Sequence, residues 1–179
     1  MGPQGSVIKR ATDIIISLFV LLLTSPVLLI CMLAIKLESK GPAIFKQART
    51  GLNGKPFMMY KLRGMVHNAE KLGPMLTAKN DPRLTRTGKL FRRMSIDELP
   101  QFYNVLIGDM SIVGPRPEVV SITEGFSAAH REVFNFKPGI TGYSQINGRQ
   151  MLTSEERCEI EIPYYKTATF FTDLMILLK

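Results

Sequence analysis

The sequence predicts a helix-rich α/β protein with a small sheet, attached to a membrane near its N-terminus. Three observations carry that expectation. The 22 residues from Ile14 to Ile35 contain no charge. Two short extended segments flank an Asn-Gly pair at Asn53-Gly54, and the remainder is divided by Gly- and Pro-containing loops into segments with helical character. The chain has 179 residues, enough for one domain with its own core. It is 45% hydrophobic, with a mean hydropathy of +0.08, yet carries 23 Lys+Arg against 15 Asp+Glu, a net charge of +8. Disordered tails lack this much apolar residue and soluble nucleic-acid binders rarely carry it, so both classes start at a disadvantage. Two cysteines, Cys31 and Cys158, build no disulfide framework and fit a reducing compartment. His67 and His130 lie outside any zinc-ligand spacing and receive no role.

The apolar run exceeds the core of a cleavable signal peptide. As a straight helix it extends roughly 33 Å against a hydrocarbon thickness of about 30 Å, so length alone favours a span. Two features oppose it. Pro26, after Ser25, removes a backbone donor near the middle and should bend the helix, with the Thr24 and Ser25 hydroxyls able to serve the freed carbonyls. Both flanks are also basic: Lys9 and Arg10 before the run, Lys36, Lys40, Lys46, Arg49 and Lys55 after it. A hairpin that enters and leaves by one face keeps both flanks on one side. From the residues alone, span and re-entrant hairpin both stand.

Beyond the anchor, residues 43–50 and 56–62 read as a hairpin around Gly51 to Lys55, where Asn-Gly supplies positive φ. A basic stretch from Lys79 to Arg93 runs into Ser95-Ile96-Asp97-Glu98-Leu99-Pro100-Gln101 and a helical FYNVLIG segment. Gly114-Pro115-Arg116-Pro117 is a stiff turn, and a helix is expected from about Glu118 to Phe134. Lys137 to Gly142 and Asn147-Gly148-Arg149 form two further glycine-containing loops. Thr153-x-x-Glu156 is a capping box opening another helix. The last helix places Phe170, Leu174 and Leu177 on one face, suited equally to a core or to an interface.

The candidate chemistry lies at Asp97-Glu98. Acids in a first turn complement the helix dipole, and Ser95-x-x-Glu98 has the form of a capping box, so a structural role accounts for them in isolation. Their setting admits another role. Arg92, Arg93 and Arg116 can neutralise phosphates beside an ionised carboxylate, one acid can attack phosphorus, and its neighbour can hold magnesium through oxygen. Two prolines hold the single guanidinium of Arg116 stiffly, which suits bidentate phosphate recognition. No Walker loop or GxGxxG fingerprint is present.

An ordered series spans the chain from about Ser6 to Lys179. It comprises Lys9-Arg10-x-x-Asp13, Ser25-Pro26, Phe45-Lys46-Gln47-x-Arg49-x-Gly51, Lys61-Leu62-Arg63-Gly64-Met65, Asp97-Glu98-Leu99-Pro100-Gln101, Gly108-Asp109-Met110-Ser111, Gly114-Pro115-Arg116-Pro117, Lys137 to Gly142, and Asn147-Gly148-Arg149. The series closely resembles the bacterial sugar transferase family, the monotopic phosphoglycosyl transferases that start membrane glycan assembly. The resemblance is to a short-form member or an excised catalytic domain.

That resemblance implies a re-entrant helix-break-helix anchor over residues 1–40, broken at Ser25-Pro26, and a catalytic domain over 41–179. The domain would rest on amphipathic helices at the cytoplasmic face of the bacterial inner membrane. The implied reaction takes a UDP-sugar and polyprenyl (undecaprenyl) phosphate to polyprenyl-diphosphate-sugar and UMP, with Mg2+ as cofactor. Asp97 is then the nucleophile forming a covalent phosphosugar intermediate, Glu98 a magnesium ligand and Arg116 a phosphate ligand. Arg92, Arg149, Lys61 and Arg63 are further ligand-side positions, and Asp173 matches a family position without a stated role. The partners implied are donor, lipid acceptor and membrane lipid, with no nucleic acid; a homo-oligomer is compatible. Gly64 departs from the family's usual Ser or Thr. The competing reading is a non-catalytic basic module, tethered to the membrane, that binds nucleic acid or anionic lipid through Lys79–Arg93; it explains the charge but not the acidic pair.

Overall fold

A computed structural model describes residues 6–69, 72–73, 81–148 and 151–178. Helix α1, Val7–Glu38, contains the apolar run and is long and apolar enough to cross a membrane. It continues through Pro26 as a single helix. Proline at 26 leaves the carbonyl of Leu22 without its usual donor, and the Ser25 hydroxyl donates to that oxygen at 2.8 Å, while Thr24 donates to Val20 O at 2.7 Å. The expected break is therefore a replaced hydrogen bond inside one helix rather than a division into two.

Both ends of α1 pack on the rest of the chain. Near the N-terminus the buried Lys9 lies 3.3 Å from Asp13 and 3.1 Å from Asp173, and Asp13 accepts from the Ser111 hydroxyl at 2.7 Å. Toward the C-terminus Cys31 and Ile35 join Ala43, Leu62 and Phe91 in an apolar cluster. Between these attachments Leu18, Phe19, Leu22, Leu23, Leu29 and Ile30 are exposed.

Strands β1 (Ile44–Thr50) and β2 (Pro56–Leu62) form the expected antiparallel hairpin, with Lys61 opposite Phe45 and Phe57 opposite Arg49. Asn53 (φ 56°) and Gly54 (φ 72°) supply its left-handed turn. Helix α2 (Arg86–Arg93), capped by Thr85, precedes the Asp97 turn, and α3 (Gln101–Ile107) follows it, ending at Gly108 with φ 98°. A second, parallel pair joins β3 (Ser111–Val113) to β4 (Gly139–Thr141). Among the described residues the small sheet is thus two separate two-stranded units.

The helix expected over Glu118–Phe134 is replaced by a four-residue α4 (Val120–Thr123), a turn at Gly125, and a 3-10 segment over His130–Asn135. Two interactions favour the interruption. The Thr123 hydroxyl is drawn 2.6 Å from that of Thr50, and Phe126 turns inward to cluster with Val133 and Cys158. Helix α5 (Tyr143–Ile146) leads to α6 (Ser154–Thr167), whose Thr153–Glu156 capping box forms as expected. In α7 (Phe170–Leu177) Asp173 and Ile176 face inward, whereas Phe170, Leu174 and Leu177 stay exposed. The main core gathers Met59, Val105, Met110, Ile112, Val113 and Tyr165 between β2, α3, β3 and α6.

Candidate active site

Asp97 and Glu98 lie in a single 3-10 turn, Ile96–Glu98, rather than in the first turn of an α-helix. Ser95 adopts a left-handed conformation (φ 57°) and makes no side-chain cap, so the expected Ser95–Glu98 capping box does not form. A residue at positive φ cannot present its hydroxyl as an N-cap in the usual extended geometry. Pro100, unable to donate a backbone hydrogen bond, then starts α3 two residues beyond Glu98.

Three cations converge on this turn from separate elements. Lys61, near the end of β2, places its ammonium 2.8 Å from Glu98 Oε1. Arg116 reaches the same oxygen at 3.6 Å from the loop after β3. Arg92, on the last turn of α2, acts on Asp97 through space. Burial raises the Asp97 carboxyl above the usual carboxylate range; Lys61 and Arg92 oppose the rise and Glu98 adds to it. Burial would also raise Glu98, but Lys61 and Arg116 outweigh it and hold Glu98 below its ordinary value. The Lys61 ammonium is lowered by burial, against the attraction of Glu98. Two adjacent carboxylates are thereby driven apart in acidity, the arrangement that lets neighbouring acids take different roles.

The loop carrying Arg116 is tied at successive backbone positions. Gly114 N–H donates to Thr141 O at 3.0 Å, and Pro115 O accepts from Gly139 N–H at 2.9 Å. Pro117 O accepts from the Arg49 guanidinium at 3.0 Å, and Glu118 O from Thr50 N–H at 3.0 Å. The amide of Arg116 donates to the side chain of Glu161 on α6. Gly114 and Gly139 approach so closely that a Cβ on Gly114 would lie 2.2 Å from Lys137 O, which explains glycine on both sides.

Of the sequence-derived site residues, Asp97, Glu98, Lys61, Arg116 and Arg92 are brought together. Arg63 is not in this group: its guanidinium is buried against the C-terminal end of α1, donating to Lys40 O at 2.7 Å, Ser39 O at 2.8 Å and the Ser39 hydroxyl at 2.9 Å. Arg149 lies outside the described residues, as does Lys79 of the basic stretch. Arg83 in that stretch is buried against Asp81 at 2.6 Å, so this residue of the proposed binding surface is an internal ion pair. Two residues join the site unanticipated. Arg49 supports Pro117 while burial and the nearby Arg116 push its guanidinium down to about 10. Glu161 could have been noticed from spacing, because it shares the inward face of α6 with Cys158 and Tyr165, three and four residues away.

Among the described residues no cluster of three His, Cys, Asp or Glu forms a self-sufficient metal site. Asp97-Glu98 nevertheless fits a magnesium ion that takes its other oxygens from substrate phosphate, because Mg2+ is commonly held by one or two carboxylates in that way. Glu98 is the better donor of the two, being kept ionised.

The fold and site together define an α/β protein with a long apolar N-terminal helix and a carboxylate pair set among cations. The family model for bacterial sugar transferases matches residues 4–179, and the chain belongs to that family. It is 42% identical over 171 residues to a Bacillus subtilis protein named as the uncharacterized sugar transferase EpsL, covering 96% of this chain and 84% of that one. It is 44% identical over 189 residues to a UDP-glucose:undecaprenyl-phosphate glucose-1-phosphate transferase of Escherichia coli, covering 98% of this chain and 40% of that one. A UDP-N-acetylgalactosamine-undecaprenyl-phosphate N-acetylgalactosaminephosphotransferase of Aeromonas hydrophila is 38% identical over 186 residues, with 99% and 44% covered. The chain therefore spans about two fifths of the latter two relatives and most of the first.

Proposed function

We propose that the protein transfers a sugar phosphate from a UDP-sugar to undecaprenyl phosphate, releasing UMP. The observation that carries this reading is the convergence of Lys61, Arg116 and Arg92 on the Asp97-Glu98 turn. The relatives named for this reaction use different sugars, glucose in one and N-acetylgalactosamine in another, so the sugar is left open.

In the first step an Asp97 carboxylate oxygen attacks the β-phosphorus of the donor. An O–P bond forms, the bond from that phosphorus to the bridging oxygen breaks, and the electron pair leaves with UMP. In the second step a phosphate oxygen of the lipid attacks the same phosphorus and expels the Asp97 carboxylate, restoring the enzyme. Lys61 and Arg116 keep Glu98 ionised and meet phosphate charge, while Arg92 offsets the burial of Asp97. Magnesium, held by Glu98 and substrate oxygens, would supply further neutralisation of the phosphates. A two-step route suits an interface, because donor and lipid need not occupy the site together.

In this reading α1 is a re-entrant anchor in one leaflet. One observation supports it: the packing of Lys9–Ser17 and of Cys31–Ile35 on the same domain. A helix crossing the bilayer would place one of those ends on the far side. The exposed apolar residues of α1, and Phe170, Phe171 and Leu174 of α7, then face lipid, with the domain on the cytoplasmic side.

The decisive experiment supplies a panel of UDP-sugars, undecaprenyl phosphate and Mg2+ and measures UMP. Asp97→Asn should abolish turnover and prevent a phosphosugar adduct on the protein when acceptor is withheld. Substantial turnover by Asp97→Asn would remove the nucleophile assignment, and salt-sensitive DNA binding without UMP release by the parent would favour the non-catalytic alternative.

A further inference from the structure

Glu161 is 2% exposed and lies in the middle of α6, outside the carboxylate pair and its cations. Its carboxylate receives the Ser144 hydroxyl at 2.6 Å and the backbone N–H groups of Arg116 and Ser144. One side chain thus joins three elements: α6, the Gly114–Pro117 loop and α5. A buried carboxylate is costly unless its oxygens are satisfied, and here the donors belong to a loop whose single guanidinium reaches Glu98. Gly142 packs against the same place, since a Cβ there would lie 2.2 Å from Gly114 O and 2.9 Å from the Tyr165 hydroxyl.

We propose that Glu161 is a positioning residue for the phosphate-handling Arg116, fixing the loop through the Arg116 amide so that the guanidinium stays directed at the carboxylate pair. The proposal rests on the reading of Arg116 as a substrate-binding group. It adds a residue from the C-terminal third of the chain to a site otherwise assembled from residues 49–116.

The surroundings isolate Glu161 as the titrating group. On its own helix, Arg157 is engaged by Glu118 at 2.7 Å, burial pushes the Cys158 thiol up to about 12, and the Tyr165 hydroxyl is raised and accepts from Tyr143 N–H. From the loop, Arg116 and Glu118 are the charged groups, and α5 contributes Ser144 and Tyr143. Burial pushes Glu161 itself up to about 7 against the opposing hydrogen bonds and Arg157. Below that pH a proton occupies one of the accepting oxygens, so the loop loses part of its tether.

The test compares the full-length parent with Glu161→Gln, Arg116→Ala and the double variant in detergent or nanodiscs. Hydrogen exchange of peptides covering residues 111–119 reads the tether without reference to activity. Glu161→Gln should raise exchange there about tenfold while α7 and the β1–β2 hairpin stay protected. In UMP release, kcat/KM should fall about tenfold, the loss of one hydrogen bond to a charged group. That fall should shrink to less than twofold in the Arg116→Ala background, and the acid limb near pH 7 should disappear. Unchanged exchange in 111–119 overturns the proposal, as does an equal loss of kcat/KM with and without Arg116. Glu161→Asp, which keeps the charge and withdraws it by one methylene, covers the case in which the glutamine variant fails to fold. It should raise exchange in the same peptide, and unchanged exchange again overturns the proposal. Failure of the transferase reading would show differently, as absent UMP release by the parent with the exchange result intact.

Discussion

Replacing Gly88 by alanine sets two effects of opposite sign against each other. Gly88 lies inside α2, where helix propensity favours alanine over glycine by about 1 kcal/mol. On that ground alone the variant should be more stable. The geometry predicts the reverse. A Cβ on Gly88 would stand 1.9 Å from the carbonyl oxygen of Gly64 and 2.6 Å from its Cα, and both obstacles are backbone, which cannot rotate away. The helix must shift by more than 1 Å from the end of β2, straining the 3.1 Å bond from Thr85 N–H to the same Gly64 carbonyl. Overpacking typically costs about 1–3 kcal/mol, and a weakened buried hydrogen bond adds about 1 kcal/mol. After propensity is offset, a net loss of about 2 kcal/mol remains, equivalent to a melting point lower by about 4–8 °C in a chain of this size. Gly64→Ala is the control: its Cβ would meet Gly88 Cα at 3.5 Å and Arg92 Nε at 3.6 Å, ordinary contacts, so the change should be near neutral. Thermal unfolding of the three proteins in one detergent checks the pair. A Gly88→Ala protein that melts at or above the parent would show that the close approach does not govern stability here.

Stability should also fall as pH rises from about 4.5 to 7, because Glu161 keeps its proton in the folded protein over a range where the unfolded chain has lost it. The contribution is about 3 kcal/mol, and comparison of parent with Glu161→Gln at pH 5 and pH 8 isolates it from Asp97 and Asp173, which are raised in the same direction. Pro26→Ala restores an N–H for Leu22 O and removes the residue inside α1 that disfavours a plain span, which should be seen as altered labelling of a cysteine placed at Ser6 in intact cells; unchanged labelling would remove Pro26 from the control of topology. Glu98→Gln should lower kcat/KM at least a hundredfold and raise the Mg2+ needed for half-maximal rate, whereas an unchanged Mg2+ dependence would place the metal elsewhere.

Much of the framework was legible because it depends on local chemistry. Asn53-Gly54 specified the hairpin turn, Thr153-x-x-Glu156 specified a helix start, and Ser25-Pro26 specified a carbonyl needing a new donor. The mistaken expectations share a different cause. Whether Glu118–Phe134 forms one helix depends on Thr50, more than seventy residues away, and Ser95 resembles a cap until its left-handed backbone is known. Arg63 sits two residues beyond Lys61, and strand alternation cannot tell which of two basic side chains faces a carboxylate and which caps a helix end. Glu161 was visible as an acid between Cys158 and Tyr165 on one helix face, but its partners come from a loop and a short helix, Arg116 and Ser144, that local pattern does not connect.

The position of Arg63 becomes intelligible when the anchor is considered together with the helices that bracket Asp97. At one end of α1, Glu38 accepts from the backbone N–H groups of Arg86 and Thr87, so an anchor carboxylate caps the N-terminus of α2, while Arg63 binds the carbonyls at the anchor's own C-terminus. At the other end Arg10 donates to Val105 O at 2.6 Å and Leu106 O at 2.9 Å, neutralising the C-terminus of α3. The two helices so held stand immediately before and after the Asp97-Glu98 turn. Helix α1 therefore acts as a brace across the site through contacts at both of its ends, and weakening it should reduce turnover without touching the carboxylate pair or the cations around it. Arg10→Met keeps the apolar stem and removes the donors. It should lower kcat severalfold with KM for the UDP-sugar nearly unchanged, while membrane fractionation stays that of the parent. Parental kcat with the α3 carbonyls deprived of Arg10 would reduce the anchor to a tether.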